Sequence, residues 1–297
     1  MNIFVTGASG LVGQSLIKKL EQCNNINKVY CLYRNKPINI QSDKIIPIMG
    51  DINSLSTMKI EDNISIVIHL VGYWQKENYN MLNKINVDGT KSCIKFCKNN
   101  NINKIIYLST INVNLMNKGN YAKTKLMAEE EIIKSDLSYI IMRPTLIYGN
   151  EDIGLSKLCK LIKKSKFIPV IGNGKALEQP IYVKEVAEYI IEAINNFHEN
   201  ITIPIAGKEA MEYDVMINTL ASYIGKNIKI VHFPLKLIRF GAKVLEICKL
   251  PSPINNEQIA HISEDLNVDN KIPHNYYNVK LNPFIDNLSK INYIHNT

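Results

Sequence analysis

A tyrosine and a lysine lie four residues apart, at Tyr121 and Lys125, in a stretch whose pattern predicts a helix. That spacing puts the phenol and the ammonium on one face of the helix. A phenol with an ordinary pKa of about 10 exchanges protons poorly at neutral pH, but an adjacent ammonium stabilises the phenolate. Although such pairs also arise by chance in lysine-rich chains, this one predicts proton exchange between Tyr121 and a substrate oxygen.

A glycine-rich turn near the start of the chain predicts a second site. It follows a predicted strand and opens a predicted helix, which is the context of a dinucleotide-binding turn. Gly7 would allow the tight turn, Gly10 the approach of a pyrophosphate, and Gly13 close packing of helix on strand. The alternative is a turn that serves the fold alone. We predict that the turn and the helix N-terminus bind the dinucleotide through Thr6, Gly7, Ser9, Gly10, Leu11, Val12 and Gly13.

The elements that must position these residues alternate regularly through the first half of the chain. Apolar runs rich in β-branched residues occur at 2–6, 28–33, 45–49, 64–71, 104–109 and 139–143, separated by amphipathic segments. This alternation predicts an α/β fold with a doubly wound parallel sheet. We assign residues 1–150 to a dinucleotide-binding domain, to which 184–206 return with a helix at 186–195 and a strand at 201–206. Residues 151–183 and 207–297 are expected to form a smaller C-terminal α/β lobe that binds the substrate.

Composition and charge exclude several classes of protein. The 297 residues are 46% hydrophobic and 21% charged, which is typical of a folded globular chain rather than a disordered or collagen-like one. The net charge is +8, but the lysines form no basic arm or tail, so we expect no nucleic-acid partner. Six cysteines without a C-x-x-C pair, and a start without signal-peptide features, predict a reduced cytoplasmic protein. No cluster of metal ligands is found in the sequence, so no metal is expected.

One stretch raises the question of a membrane surface. Residues 235–250 are amphipathic, with Lys236, Arg239 and Lys243 at helical spacing on one side. Such a helix could lie on a membrane, or it could pack over a substrate pocket with a basic rim. We favour the second interpretation, because amphipathic helices of soluble proteins are far commoner.

Further motifs occur in a fixed order along almost the whole chain: Gly50-Asp51-Ile52, His69-Leu70-Val71-Gly72, Asn86-Val87-Asp88-Gly89-Thr90, Tyr107-Leu108-Ser109-Thr110 and Arg143-Pro144-Thr145-Leu146-Ile147-Tyr148-Gly149. With the glycine-rich turn, they resemble the extended and atypical short-chain dehydrogenase/reductases, which have a Rossmann-type sheet. The resemblance implies that Asp51 and Ile52 contact adenine. It also implies that Leu70, Val71 and Gly72 lie beside the ribose and nicotinamide, that Asn86 braces the active-site helix, and that Pro144 contacts the cofactor.

The same resemblance assigns catalytic roles. Lys125 would hold the nicotinamide ribose as well as stabilise the phenolate of Tyr121. Thr110 would donate a hydrogen bond to the substrate oxygen, with Ser109 as the alternative residue for that role. The expected activity is therefore an NAD(P)-dependent oxidoreductase acting on a carbonyl or alcohol group of a small molecule. A homodimer is compatible with this expectation.

The choice of nicotinamide cofactor depends on the end of the second predicted strand. An acidic residue there would accept hydrogen bonds from a free ribose 2′-hydroxyl. The chain instead has Tyr33 followed by Arg34, and a guanidinium favours a 2′-phosphate. We therefore predict NADP(H) rather than NAD(H), the alternative being that Arg34 stacks on adenine or faces water.

Departures from the family pattern bear on the substrate. Residues 172–183 align with the substrate loop of sugar-nucleotide epimerases and reductases, but Glu178 stands where an arginine commonly binds diphosphate. Thr110 is followed by Ile111-Asn112 instead of Asp-Glu, which disfavours dehydration. We expect a nucleotide-sugar 4-keto reductase or epimerase. The alternative is an NADPH-holding binding or assembly protein, because the segment 179–183 and Leu250-Pro251 resemble the branch containing the nucleotide-binding accessory subunit of respiratory complex I.

Overall fold

The computed structural model describes residues 1–35, 37–38, 42–74, 78–150, 152–236 and 264–295. Its strands, in chain order, are β1 (Asn2–Thr6), β2 (Lys28–Tyr33), β3 (Ile45–Met49), β4 (Ile66–His69), β5 (Lys104–Leu108), β6 (Ser138–Pro144), β7 (Ile147–Tyr148), β8 (Phe167–Ile171), β9 (Leu177–Glu178), β10 (Ile181–Tyr182), β11 (Ile201–Ile205), β12 (Met211–Glu212) and β13 (Lys229–Phe233). The helices are α1 (Leu11–Gln22), α2 (Tyr79–Leu82), α3 (Gly89–Asn99), α4 (Asn120–Ile133), α5 (Gly154–Lys164), α6 (Val183–Asn195), α7 (Tyr213–Ile224), α8 (Lys271–His274), α9 (Phe284–Leu288) and α10 (Asn292–His295).

A seven-stranded sheet of order β11-β6-β5-β4-β1-β2-β3 lies at the centre of the fold. Every neighbouring pair in it is parallel. The chain runs outward from β1 to β3 and then crosses to β4 on the other side of β1. The crevice between the carboxyl ends of β1 and β4 is therefore the topological switch point, where open α/β sheets bind ligands.

The central strands are buried on both faces, as a parallel sheet covered by helices requires. Within β1, Ile3 and Val5 belong to one apolar cluster with α1 and α6, while Phe4 belongs to another with α3 and α4. Successive side chains of a strand point to opposite faces, so this alternation places the two helix pairs on opposite sides of the sheet. The predicted doubly wound sheet is confirmed.

Several predicted bounds differ slightly from the observed ones. The fourth strand is shorter than predicted, and the sixth begins one residue earlier and ends one later. Helix α6 begins at Val183, earlier than predicted, because the Glu185 carboxylate accepts a hydrogen bond from Tyr182 N and so caps the first turn. Strand β11 pairs with β6 and adds the last strand of the sheet.

The remaining strands form small two-stranded sheets: β7 with β10, β8 with β13, and β9 with β12. Their helices share the main core, because Met216 and Leu220 of α7 and Phe284 of α9 belong to the same apolar cluster as α1 and α6. The predicted amphipathic stretch at 235–250 lies outside the described residues, apart from Leu235 and Lys236. In the described part of the chain, none of the helices combines the length and the apolar character needed to cross a bilayer.

Candidate active site

The glycine-rich turn has the geometry that its spacing predicts. Gly7 has a φ of +71°, and a Cβ on it would lie 2.8 Å from the carbonyl carbon of Leu70. A Cβ on Gly13 would lie 2.3 Å from Gly7 O, so this glycine allows α1 to pack against the turn. Among the described residues beyond its chain neighbours, a Cβ on Gly10 would meet Gly7 O alone, at 3.3 Å. The backbone at Gly10 is therefore open to a ligand, and a dinucleotide fits the turn.

A cavity of about 170 Å³ opens beside this turn at the switch point. Seven of the predicted cofactor residues line it: Gly7, Ser9, Arg34, Asp51, Ile52, Val71 and Gly72. Five further lining residues were missed by sequence reasoning: Leu32, Tyr33, Gly50, Tyr73 and Ile85. Most of the five are adjacent in sequence to predicted cofactor residues, so their position next to those residues could have identified them. The turn, the end of β2 and the end of β4 meet at this cavity.

Two charged side chains lie at one wall of the cavity. Arg34 Nη1 is 3.7 Å from Asp51 Oδ2, and the Arg34 side chain is 59% exposed. The pKa of Asp51 is lowered, chiefly by the hydrogen bond from Asn53 N and also by the Arg34 charge. An ionised carboxylate and a solvent-facing guanidinium are thus available where the resemblance places the adenosine end of the cofactor.

A chain of buried polar side chains lies beneath the cavity. Thr90 Oγ1 donates to Asn86 O at 2.6 Å and lies 3.0 Å from His69 Nε2, while Thr6 Oγ1 lies 2.7 Å from His69 Nδ1. Since the Thr90 proton is committed to the carbonyl, His69 carries its own proton on Nε2 and accepts at Nδ1 from Thr6. Burial, with help from the Lys125 charge, lowers the pKa of His69 to about 3. This histidine is therefore neutral.

Asn86 connects the loop after β4 to α4. It lies in a π-helical turn, Asn83–Asp88. Its Oδ1 accepts from Tyr73 N at 2.8 Å, and its Nδ2 donates to Thr124 Oγ1 at 3.0 Å. Thr124 Oγ1 in turn donates to Tyr121 O at 2.9 Å. The amide of Asn86 thereby holds the first turn of α4 in register with the cavity wall.

Lys125 is buried, with 1% of its surface exposed. Its Nζ donates to Leu108 O at 2.7 Å and lies 4.1 Å from the centre of the Tyr107 ring. A Cβ on Gly72 would lie 3.8 Å from this Nζ, so the ammonium is next to a cavity-lining residue. Burial lowers the pKa of Lys125 to about 7, and the charge of Glu129 opposes that effect. Tyr121 lies one turn earlier on α4 and is partly buried.

The two predicted hydroxyl residues have different surroundings. Thr110 Oγ1 accepts a hydrogen bond from Asn112 N at 3.3 Å, and within the described residues no acceptor for its own proton is found. Ser109 Oγ donates instead to Glu129 Oε1. Thr110 therefore has a proton to offer a substrate, whereas that of Ser109 is engaged.

The buried Glu129 and the partly buried Arg143 form an ion pair that sequence reasoning did not assign to the site. Arg143 Nη2 lies 2.6 Å from Glu129 Oε2, and its Nε lies 3.1 Å from Oε1. Glu129 is 1% exposed. The signal for it was present in the sequence, because Glu129 follows Lys125 by four residues on the same helix face.

The other predicted cofactor residues are not among those that line the cavity. Thr6 bonds His69, Leu70 and Pro144 lie at or beyond strand ends, and Leu11 and Val12 lie in the first turn of α1. In the predicted substrate loop, Glu178 is buried. Its charge contributes to the raised pKa of Tyr213, for which burial is the main cause. Among the described residues, no group of three or more His, Cys, Asp or Glu could hold a metal ion.

Comparisons with known proteins identify relatives of this chain. The chain is 24% identical over 276 residues to the mitochondrial NADH dehydrogenase 1 alpha subcomplex subunit 9 of Arabidopsis thaliana, covering 88% of this chain and 67% of that protein. It is 25% identical over 279 residues to an N-acetyl-alpha-D-glucosaminyl-diphospho-ditrans,octacis-undecaprenol 4-epimerase of Escherichia coli, covering 83% and 79%. Some other relatives are matched over only 52% to 59% of their own length.

Solved structures show the same fold. A dTDP-glucose 4,6-dehydratase from Streptomyces venezuelae, determined with NAD bound, superposes with a TM-score of 0.74 at 13% identity, covering 99% of this chain and 96% of that one. The 3-beta hydroxysteroid dehydrogenase/isomerase family matches residues 4–216. The resemblance inferred from the motifs is thus confirmed, and the chain belongs to the 3-beta hydroxysteroid dehydrogenase/isomerase family of extended short-chain dehydrogenase/reductases.

Proposed function

We propose that this protein is an NAD(P)-dependent oxidoreductase in which Tyr121 exchanges a proton with the oxygen of a carbonyl or alcohol substrate. The observation that carries the proposal is the position of Lys125, whose Nζ is buried beside Gly72 at the cavity and bonded to Leu108 O. A buried ammonium is costly for a fold. A need for positive charge near the reacting phenol would explain why the Lys125 ammonium is buried one helical turn from Tyr121.

The residues would act together as follows. A bound nicotinamide would supply or accept the hydride. The Lys125 ammonium would stabilise the phenolate of Tyr121, and the Thr110 hydroxyl would donate to the substrate oxygen. Because His69 is neutral, we assign this stabilising charge to Lys125 rather than to the histidine.

For the cofactor, we propose NADP(H) in preference to NAD(H). Arg34 supports this choice, since its guanidinium lines the cavity and is free on its solvent side to bind a 2′-phosphate. Asp51 supports the other choice, because its ionised carboxylate could accept from ribose hydroxyls. The positive charge of the Arg34 guanidinium, 3.7 Å from Asp51, would offset the repulsion between the Asp51 carboxylate and a phosphate.

For the substrate, we propose a nucleotide sugar, with the reaction a 4-keto reduction or an epimerisation. The 4-epimerase relative, named for a sugar joined by a diphosphate to undecaprenol, supports a diphosphate-linked sugar and a 4-epimerisation. Residues 151–183 and 207–297 would hold the substrate. The buried carboxylate of Glu178 repels a diphosphate. The phosphates would therefore bind elsewhere in the lobe than the family's usual arginine position.

The second candidate function is an NADPH-holding assembly protein with little turnover. It is favoured by the relative that is a subunit of mitochondrial NADH dehydrogenase and that matches 88% of this chain. The presence together of Tyr121, Lys125 and Thr110 favours the enzyme, because cofactor holding alone does not require a proton-exchanging phenol.

Substitution of Tyr121 by phenylalanine tests the enzyme proposal. Candidate 4-keto-sugar nucleotides and simple ketones would first be screened by the oxidation of NADPH. Tyr121→Phe should lower turnover by about 10²–10⁴-fold and leave NADPH affinity unchanged, because only the hydroxyl is removed. The exposed Tyr79 offers a matched control, and Tyr79→Phe should leave both quantities unchanged.

Two outcomes would contradict the proposal in different ways. Normal turnover by Tyr121→Phe would show that the tyrosine is not the proton-exchanging group. Tight NADPH binding that raises the melting temperature, without reduction of any carbonyl compound, would favour the assembly protein, because ligand stabilisation requires binding alone.

A further inference from the structure

The buried carboxylate of Glu129 is held in place by three hydrogen bonds from two residues. Arg143 on β6 binds both of its oxygens, and Ser109, which follows β5, donates to Oε1. The side chain is 1% exposed, and Arg143 is further fixed by a 2.9 Å hydrogen bond from Nη1 to Asn114 Oδ1. Such a carboxylate cannot turn away to solvent, so its charge has a defined position.

This position is one helical turn beyond Lys125. Residues four apart on a helix have Cβ atoms about 5–6 Å apart, and the Glu129 charge opposes the effect of burial on the Lys125 pKa. Among the described residues, Glu129 is the charge that raises the pKa of Lys125. On β4, His69 is neutral; on β5, the pKa of the Tyr107 phenol is raised well above 10 by burial, so it is un-ionised.

Burial by itself acts against a charged lysine at this site. The interior favours the neutral amine, and burial lowers the pKa of Lys125 to about 7 even with the opposing effect of Glu129. A neutral amine could not stabilise the phenolate of Tyr121. The site therefore depends on a fixed negative charge near Lys125.

We propose that Glu129, anchored by Arg143 and Ser109, is a positioning residue that keeps the buried Lys125 ammonium charged while the site operates. This inference rests on the proposed function for its catalytic meaning, but the charge state of Lys125 can be measured without any substrate. Arg143 serves to hold the carboxylate in place through both of its oxygens. The catalytic contact with substrate remains that of Tyr121.

Titration of Lys125 tests the proposal directly. Protein labelled with ¹³C-lysine reports each amine through the chemical shift of its Cε carbon, and the Lys125 signal is assigned by its absence from Lys125→Met. Glu129→Gln keeps the size and the hydrogen-bond acceptor but removes the charge. We expect it to lower the Lys125 midpoint by about one pH unit or more. Glu130→Gln, which removes an exposed charge from the next residue of α4, should leave the midpoint unchanged.

An unchanged Lys125 midpoint in folded Glu129→Gln would overturn the proposal. Should this variant fail to fold, Glu129→Asp keeps the charge but moves it away from Lys125 by the length of one methylene. We then expect a smaller shift of the Lys125 midpoint in the same direction, and no shift would again overturn the proposal. The pH dependence of NADPH affinity, measured by calorimetry, supplies a second readout. NADPH affinity should fall at alkaline pH as Lys125 loses its proton, and in Glu129→Gln this fall should occur at lower pH. A purely structural defect would instead weaken binding equally at every pH.

Failure of this inference is distinguishable from failure of the proposed function. A downward shift of the Lys125 midpoint in a protein that reduces no carbonyl compound would support the role of Glu129 and contradict the enzyme. If turnover depends on Tyr121 but the titration midpoint of Lys125 is the same in Glu129→Gln as in wild type, the enzyme is supported and the role of Glu129 is contradicted.

Discussion

Replacement of Lys125 by methionine should stabilise the protein without cofactor, and the gain should depend on pH. Lys125 has a pKa of about 7 in the folded protein against an ordinary value of 10.5. The unfolded chain therefore binds more protons between these values, so wild-type stability rises with pH across that window. At about 1.4 kcal/mol per pH unit, the buried lysine costs about 4–5 kcal/mol below pH 7, and this cost disappears above about pH 10.5.

The methionine variant carries no such cost at any pH. The variant lacks the hydrogen bond from Lys125 to Leu108 O, which lowers the free energy of unfolding by about 1 kcal/mol at every pH. The stability difference between Lys125→Met and wild type should therefore fall by about 3 kcal/mol from about pH 6.5 to about pH 9.5.

Urea unfolding of both proteins across this range measures the difference. Lys123→Met, which removes an exposed lysine from the same helix, is the control and should show almost no pH-dependent difference from wild type. A Lys125→Met effect that stays constant with pH would refute the reasoning, because it would mean that Lys125 titrates alike in the folded and unfolded chains.

The nucleotide turn and the cofactor preference yield further predictions. Gly13→Ala should lower the melting temperature, because its Cβ would lie 2.3 Å from Gly7 O, whereas Gly10→Val should fold and fail to bind NADPH in calorimetry. Unchanged NADPH affinity in folded Gly10→Val would remove the argument for the site. Arg34→Gln should weaken NADPH about ten- to a hundredfold more than NADH, since it loses a charge-assisted contact to the 2′-phosphate. Equal losses for the two cofactors would make NAD(H) the better assignment.

The sequence by itself determined the elements whose patterns are local. Apolar runs such as 2–6 and 28–33 predict buried parallel strands, and the observed β1 and β2 have these bounds. The three glycines of the turn predict a geometry that depends on a few adjacent residues, and the same holds for the helical spacing of Tyr121 and Lys125. Short-range periodicity and backbone sterics are sufficient for such features.

Only the tertiary structure decided which distant side chains meet. Ser109, Glu129 and Arg143 come from three different elements, and their contact depends on the register of β5 and β6 and on the packing of α4 against them. The same is true of Thr6 with His69, which are joined by the pairing of β1 with β4. A shift of one residue in either register would turn these side chains to the opposite face of the sheet. The motifs thus located the site along the chain, while the charge state of Lys125 and the engagement of Ser109 follow from burial and strand pairing that no local pattern encodes.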